Sequence, residues 1–192
     1  MNAINLGLFD LLAAGTDPSP WLLALARAFA LGGSWAAAAV IGIALWRRAP
    51  DRPYLLIVLA LAGLTTLLTH AIAEALDLPR PFMLGLSPAW IPHGDRGSLP
   101  SSHASVMFFV AFACLVRPAL RRYGVALALL ACLTAWARIC VGVHFPLDIV
   151  AGALLAAVLA GALAGAAAFV RWCVNDRQSA GVAREPLRQK VH

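Results

Sequence analysis

Charge is scarce in this chain. Of its 192 residues 61% are hydrophobic and only 12% charged, and mean hydropathy is +0.81. Soluble domains carry nearer a quarter charged residues, so a soluble globular fold is excluded. Strand-like alternation of the kind a membrane barrel needs is also missing. No Cys-x-x-Cys pair occurs; Cys114, Cys132, Cys140 and Cys173 lie in or beside apolar runs and read as small packing residues, not a disulfide framework. The net charge of +6 comes without an aromatic-basic stripe, which argues against nucleic acid as a partner. The N-terminus lacks a positive n-region and an A-x-A site, so no cleaved signal peptide is expected and the first hydrophobic spans serve as the insertion signal.

What is present is a series of long apolar runs. They predict an all-α integral membrane domain over residues 1–174 and a polar tail over 175–192. Residues 3–14 are apolar but too short to cross a bilayer and hold Asp10, so an interfacial helix is expected there. Five longer runs follow: Trp21 to Trp46, Pro53 to about Leu76, Ser102 to Val116, Tyr123 to Val143, and Pro146 to about Val170. The third is short unless the preceding turn extends it. The expected fold is thus a bundle of five transmembrane helices, or six if the N-terminal segment also crosses. Gly161 and Gly165 form a G-x-x-x-G, a pattern consistent with close helix packing.

Five spans put the chain ends on opposite sides of the membrane. Arg47, Arg48, Arg52, Arg117, Arg121, Arg122, Arg171, Arg177, Arg184, Arg188 and Lys190 then share one side, which the positive-inside bias makes cytoplasmic. The tail is expected to meet anionic lipid there. Loop 77–101 and the turn at 138–146 face outward, into the periplasm if the cell is Gram-negative.

Three polar clusters fall on that outward side. Ionisable groups at membrane depth are costly and read first as functional. In Arg138-x5-His144-x3-Asp148, Pro146 suits the first turn of a helix and Asp148 lies in that turn, one turn from His144. A carboxylate on one ring nitrogen fixes the tautomer and leaves the other free to attack. In Pro100-Ser101-Ser102-His103, a serine cap opens a helix whose free N–H groups suit an oxyanion, with His103 placed to give a proton. Arg80, between Pro79 and Pro81, offers a guanidinium on a stiffened backbone, suited to phosphate. Each cluster alone also reads as a snorkelling anchor or an ordinary cap. Together they supply complementary parts for phosphoryl transfer.

The set resembles the three-part signature of the type-2 phosphatidate phosphatase and vanadium haloperoxidase superfamily, K-x6-R-P, P-S-G-H and S-R-x5-H-x3-D. The matching stretches are LPRPF (78–82), LPSSHAS (99–105) and ARICVGVHFPLDIVAG (137–152), and the resemblance covers roughly residues 53–170. GVHFPLD and LPRPFMLGL are most similar to the small bacterial undecaprenyl pyrophosphate phosphatases. Three positions depart from the signature: Ala73 stands where the lysine would fall, Ser102 replaces the glycine, and Ala137 replaces the serine.

The resemblance implies that His144 is the nucleophile and forms a phosphohistidine. Asp148 would orient it. His103 would protonate the leaving lipid phosphate and then activate water. Arg80, Arg138 and the N–H groups of Ser101 and Ser102 would hold the equatorial oxygens. No metal or other cofactor is expected, because the arginines take the place of a cation. His70, Glu74, His93 and Arg96 are candidates for support around the site, with Arg96 a possible substitute for the missing lysine. The implied partners are a polyprenyl diphosphate substrate and membrane lipids, with the active site outside the plasma membrane and the tail in the cytoplasm. Three alternatives remain open: another lipid phosphate such as phosphatidate, phosphatidylglycerol phosphate or lipid A; a polar pore or transporter; and a metal site of His70, His93, His103 and His144, disfavoured by the nearby arginines.

Overall fold

A computed structural model describes residues 3–188, with side chains described to residue 175. All regular structure among these residues is helical: α1 (Ala3–Leu12), α2 (Pro20–Arg47), α3 (Arg52–Leu76), α4 (Ser102–Leu115), α5 (Arg121–Cys140) and α6 (Pro146–Arg188), with short 3₁₀ turns at Ala49–Asp51, Pro81–Leu84 and Pro118–Leu120. Proline opens α2, α3 and α6 at the first or second position, where a missing N–H costs nothing.

Four segments are long and apolar enough to cross a membrane: Pro20–Arg47, Ala49–Leu84, Pro118–Cys140 and Pro146–Asn175. The 14-residue α4 is about 21 Å long, short of the ~30 Å hydrocarbon core. It nevertheless joins the two ends of the bundle. At its start the Ser101 N–H donates to the Asp148 carbonyl (3.1 Å). Just past its end Arg117 bonds Asp51 at 2.7 Å, in the turn between α2 and α3. Because α3, α5 and α6 surround it, α4 is shielded from lipid and needs no full apolar length of its own; Phe109, Ala111, Ala113 and Cys114 are fully buried. Five helices therefore run between the two ends, as the apolar runs predict. The ten-residue α1 is too short to be a sixth span.

The helix boundaries differ from the apolar runs in two places. α5 stops at Cys140, three residues before the run ends, because Gly142 adopts a left-handed φ of +78°. The Gly142 N–H returns to Ile139 O (2.9 Å) and the Val143 N–H to Arg138 O (3.2 Å), the two bonds of a Schellman cap. α6 continues past Val170 as far as Arg188, so the first part of the polar tail prolongs that helix; residues 189–192 lie outside the described residues.

Close packing is set by other glycines than expected. Gly161 and Gly165 face open space. A Cβ at Gly33 would collide with Thr134, one at Gly124 would meet Leu115 N at 2.7 Å, and one at Gly152 would meet Ser105 Oγ at 2.9 Å. These contacts bring α2 onto α5, α4 onto α5, and α6 onto the start of α4. Sequence spacing alone could not distinguish an inward small residue from a lipid-facing one.

Candidate active site

The α5–α6 turn carries the central histidine. Its Schellman cap delivers Val141 to Phe145 directly over the start of α6. A Cβ on Gly142 would meet Pro88 O at 2.5 Å and Ser87 Oγ at 2.6 Å, so loop 85–101 is pressed onto this turn. The Trp90 N–H donates to Val141 O (3.0 Å) and strengthens that contact. From below, α1 supports the same turn: Phe9 is 1% exposed and packs on Phe145 with ring centroids 5.3 Å apart. The Leu147 N–H donates to Asn5 Oδ1 at 3.0 Å.

His144 is fully enclosed. Its Nδ1 lies 3.3 Å from Asp148 Oδ2, one helical turn on. The same oxygen accepts the Phe145 N–H (2.8 Å) and the hydroxyl of the buried Ser98. With Nδ1 so engaged, Nε2 is the nitrogen left to react. Burial pushes the His144 pKa down to about 4; the Asp148 bond opposes this, and the Arg138 and Arg80 charges add to it. The ring is therefore neutral near pH 7 and keeps its lone pair.

Arg80 is 6% exposed and knots two segments together. Its Nε donates to Arg96 O (2.8 Å), Nη2 to Gly97 O (3.0 Å) and Nη1 to Val143 O (2.9 Å). A guanidinium has five N–H donors, so two remain for an anion. Nη1 lies 3.2 Å from His144 Nε2, which sets those donors beside the reactive nitrogen. The flanking prolines are thus less important than three carbonyls in aiming this side chain.

Arg138 is 4% exposed, has no carboxylate partner among the described residues, and leaves its Nε without a hydrogen bond. Its Nη2 meets His93 Nε2 at 2.6 Å. His93 in turn lies edge-on to His144, with centroids 5.9 Å apart. Desolvation of its inner edge, then Arg80 and Arg138, push the His93 pKa down to about 3, which leaves that nitrogen able to accept from Arg138.

Arg80, His93 and His144 open onto a cavity of about 360 Å³ that Ser102 and His103 also line; Arg138 stands behind His93 and is not among the residues lining it. The imidazoles of His103, from α4, and His144, from the α5–α6 turn, thus face one space. Of the remaining expected residues, His70 and Arg96 reach the cavity wall, whereas Glu74 is exposed and does not line this cavity. Ala73 also lines it, at the position where the resemblance leads one to expect lysine. Ser101 does not offer its N–H to the cavity, since that donor is taken by Asp148 O. Its hydroxyl accepts the Ala104 N–H (3.5 Å) as an N-cap. The first-turn N–H groups of Ser102 and His103 have no partner among the described residues and are the donors that remain. Sequence reasoning missed Ser98 and Gly142. A serine two residues before the Pro-Ser-Ser-His turn was the available signal for Ser98; the Val-Gly-Val interruption was the signal for Gly142.

The PAP2 superfamily model matches residues 53–175, which contain every group just described except α1 and α2. The chain belongs to the PAP2 superfamily. It is 30% identical over 158 residues to YbjG of Escherichia coli (strain K12), whose name gives undecaprenyl-diphosphatase as a provisional activity; the match spans 81% of this chain and 78% of that one. It is 36% identical over 80 residues to undecaprenyl-diphosphatase BcrC of Bacillus subtilis (strain 168), spanning 42% and 40% of the two chains. Among solved structures, the fold resembles Aquifex aeolicus LpxE (TM-score 0.64, 24% identity, 83% of this chain and 93% of that one). It also resembles a transmembrane PAP2-type phosphatidylglycerolphosphate phosphatase of Bacillus subtilis (TM-score 0.62, 21% identity, 86% of each). Family and apolar helices together make this PAP2 protein a multi-pass membrane lipid phosphatase.

Proposed function

We propose that the protein hydrolyses undecaprenyl diphosphate to undecaprenyl phosphate and inorganic phosphate at the outer face of the bacterial inner membrane. The observation that carries this reading is a series of adjoining cavities: through shared lining residues the polar cavity borders a smaller one, which borders an apolar groove between α2 and α3. The cavity shares His70, Ser102 and His103 with a smaller one of about 240 Å³. That one shares Ser34, Val106 and Met107 with a groove of about 330 Å³ lined by residues such as Ala38, Ile41 and Leu59. A phosphate can reach His144 while its hydrocarbon chain stays in lipid-like surroundings. The names of YbjG and BcrC support a diphosphate of this kind as the substrate.

His144 Nε2 attacks the terminal phosphorus, and the bond from phosphorus to the bridging oxygen breaks. His103 protonates the departing lipid phosphate as it leaves. His103 then removes a proton from water, the water oxygen attacks the phosphohistidine, and the P–N bond breaks to release inorganic phosphate. Arg80, Arg138 and the Ser102 and His103 N–H groups stabilise the equatorial oxygens, where transition-state charge gathers. Two buried guanidiniums supply the positive charge a metal supplies elsewhere, so excess chelator is expected to leave the rate intact. Loss of activity on chelation and recovery on adding metal would overturn that assignment.

The deciding experiment is phosphate release across undecaprenyl diphosphate, phosphatidate, phosphatidylglycerol phosphate and lipid A, by wild type and His144→Ala. The expected result is the highest kcat/KM for undecaprenyl diphosphate. His144→Ala is expected to lose about a thousandfold or more, as when a nucleophile acting in a concerted set is removed. Equal rates for wild type and variant would sink the mechanism. A higher kcat/KM on another lipid would replace the substrate.

A further inference from the structure

Beside His103, towards the apolar groove, lies a polar stretch whose side chains the phosphohistidine chemistry does not use. The smaller cavity is lined there by Ser34 of α2, His70 of α3 and Ser102 of α4, before Val106 and Met107 turn it apolar. Three helices thus bring a hydroxyl, an imidazole and a second hydroxyl to one place, next to His103. Thr66 reaches the same wall, but its hydroxyl donates to Ala62 O at 3.1 Å, so it has no donor to offer. Ser34 has only the weak contact of its Oγ with Met107 Sδ at 3.8 Å, which a better acceptor would displace.

We propose that Ser34, His70 and Ser102 form a second phosphate subsite, which holds the inner phosphate of a lipid diphosphate while the outer phosphate is cut at His144. This rests on the phosphatase reading of the site above. The order of side chains along the adjoining cavities carries the inference. From the inside outward come His144 and Arg80, which line only the larger cavity, then His103, His70 and Ser102, which line both the larger and the smaller one, then Ser34, which lines the smaller cavity and the groove, then hydrocarbon-facing residues. A diphosphate lipid presents its parts in the same order: outer phosphate, bridging oxygen, inner phosphate, chain. A monophosphate lipid cut at His144 would begin its chain at His103 and leave the polar stretch facing hydrocarbon. Donors left without acceptors against an apolar chain are unfavourable, so the wall discriminates against such a substrate as well as favouring the diphosphate.

The test uses farnesyl diphosphate and farnesyl monophosphate, which differ only in the inner phosphate, with full-length protein in detergent micelles. Wild type is expected to show the higher kcat/KM on the diphosphate. In His70→Ala the ratio of the two kcat/KM values is expected to fall about tenfold or more, the effect of losing one hydrogen bond to a charged group. Most of the fall should come through KM for the diphosphate. His70→Gln, which keeps a donor, should restore most of the ratio, as a general loss of folding would not. Ser34→Ala, on a different helix, should lower the ratio too. A ratio that stays within about twofold of wild type in both alanine variants overturns the subsite, since removing a charged-group hydrogen bond predicts more. Wild-type protein that cuts neither compound, nor any lipid in the wider panel, would instead overturn the phosphatase reading itself.

Discussion

At the scale of single residues, the proposed chemistry depends on a buried neutral imidazole held by a carboxylate. The sign of its pH dependence follows. His144 is pushed down to about 4 from an ordinary 6.5, so its lone pair is available above that value and lost as pH falls through it. The kcat/KM profile reports groups of the free enzyme. Its acid limb is therefore expected near pH 4; a limb near 6.5 would contradict the burial argument. Asp148→Asn is expected to lower kcat by about 10³–10⁴, because an amide no longer fixes the right tautomer. The measurement is phosphate release beside a check that the variant still folds. Much of this was legible beforehand. The three-residue gap from His144 to Asp148 is local, and one helical turn converts it directly into a contact. Arg80 was legible as a residue of the site but not as a knot, since the three carbonyls that hold it carry no side-chain signature. Ser101 was assigned a free N–H that the fold uses elsewhere, because the partner, Asp148 O, lies 47 residues away on another helix.

At the scale of elements, the two ends of the bundle are fixed by different means. At one end Asp51, 3% exposed, bonds Arg48 at 3.0 Å and Arg117 at 2.7 Å, and Arg117 stacks over Tyr54 at 4.7 Å. This ties the α2–α3 turn to the exit of α4. Both arginines are about a third exposed, so water compensates for much of what Asp51→Ala removes. The expected loss is about 1 kcal/mol, read as a small drop in Tm with little change in kcat. At the other end α1 buttresses the catalytic turn through Phe9. Phe9→Ala opens a cavity beneath Phe145, which costs about 3 kcal/mol locally. Here kcat should fall while the Tm of the bundle changes less, because α1 docks on one end only. A normal kcat in Phe9→Ala would show that the turn holds itself. The apolar runs foretold α1 as a short helix at the interface, but not what it touches. Its one inward residue is a phenylalanine among many apolar neighbours, and periodicity over ten residues does not single it out. The central place of α4 was similarly hidden. A short, mostly apolar run reads the same whether lipid or protein surrounds it.

At the scale of the whole molecule, orientation in the membrane decides what the enzyme accomplishes. An outward site returns the carrier lipid phosphate and free phosphate to the periplasmic side; an inward one would act on the cytoplasmic pool. Charge is the physical argument. Arg47, Arg48, Arg52, Arg117, Arg121 and Arg122 gather at the end where Asp51 lies, opposite the His144 end, and basic residues flanking spans are retained in the cytoplasm. Loop residue Asp95 and Ala119 are both exposed and lie at opposite ends of the bundle, so each can report a side. In a background with Cys132 and Cys173 replaced by serine, cysteine is placed at one position or the other. Asp95→Cys is expected to react with a membrane-impermeant maleimide in intact cells. Ala119→Cys is expected to react only after the membrane is permeabilised. The reverse pattern would put His144 in the cytoplasm and require the basic turns to have crossed the membrane. Labelling of both positions in intact cells would mean a mixed orientation, which the six arginines in those two turns argue against. The same two variants, if active, also test the route of the substrate. Modification at residue 95, on the loop beside His93, should slow hydrolysis, whereas modification at residue 119 should not, since on the proposed route the lipid reaches His144 along the groove between α2 and α3, which residue 119 does not line.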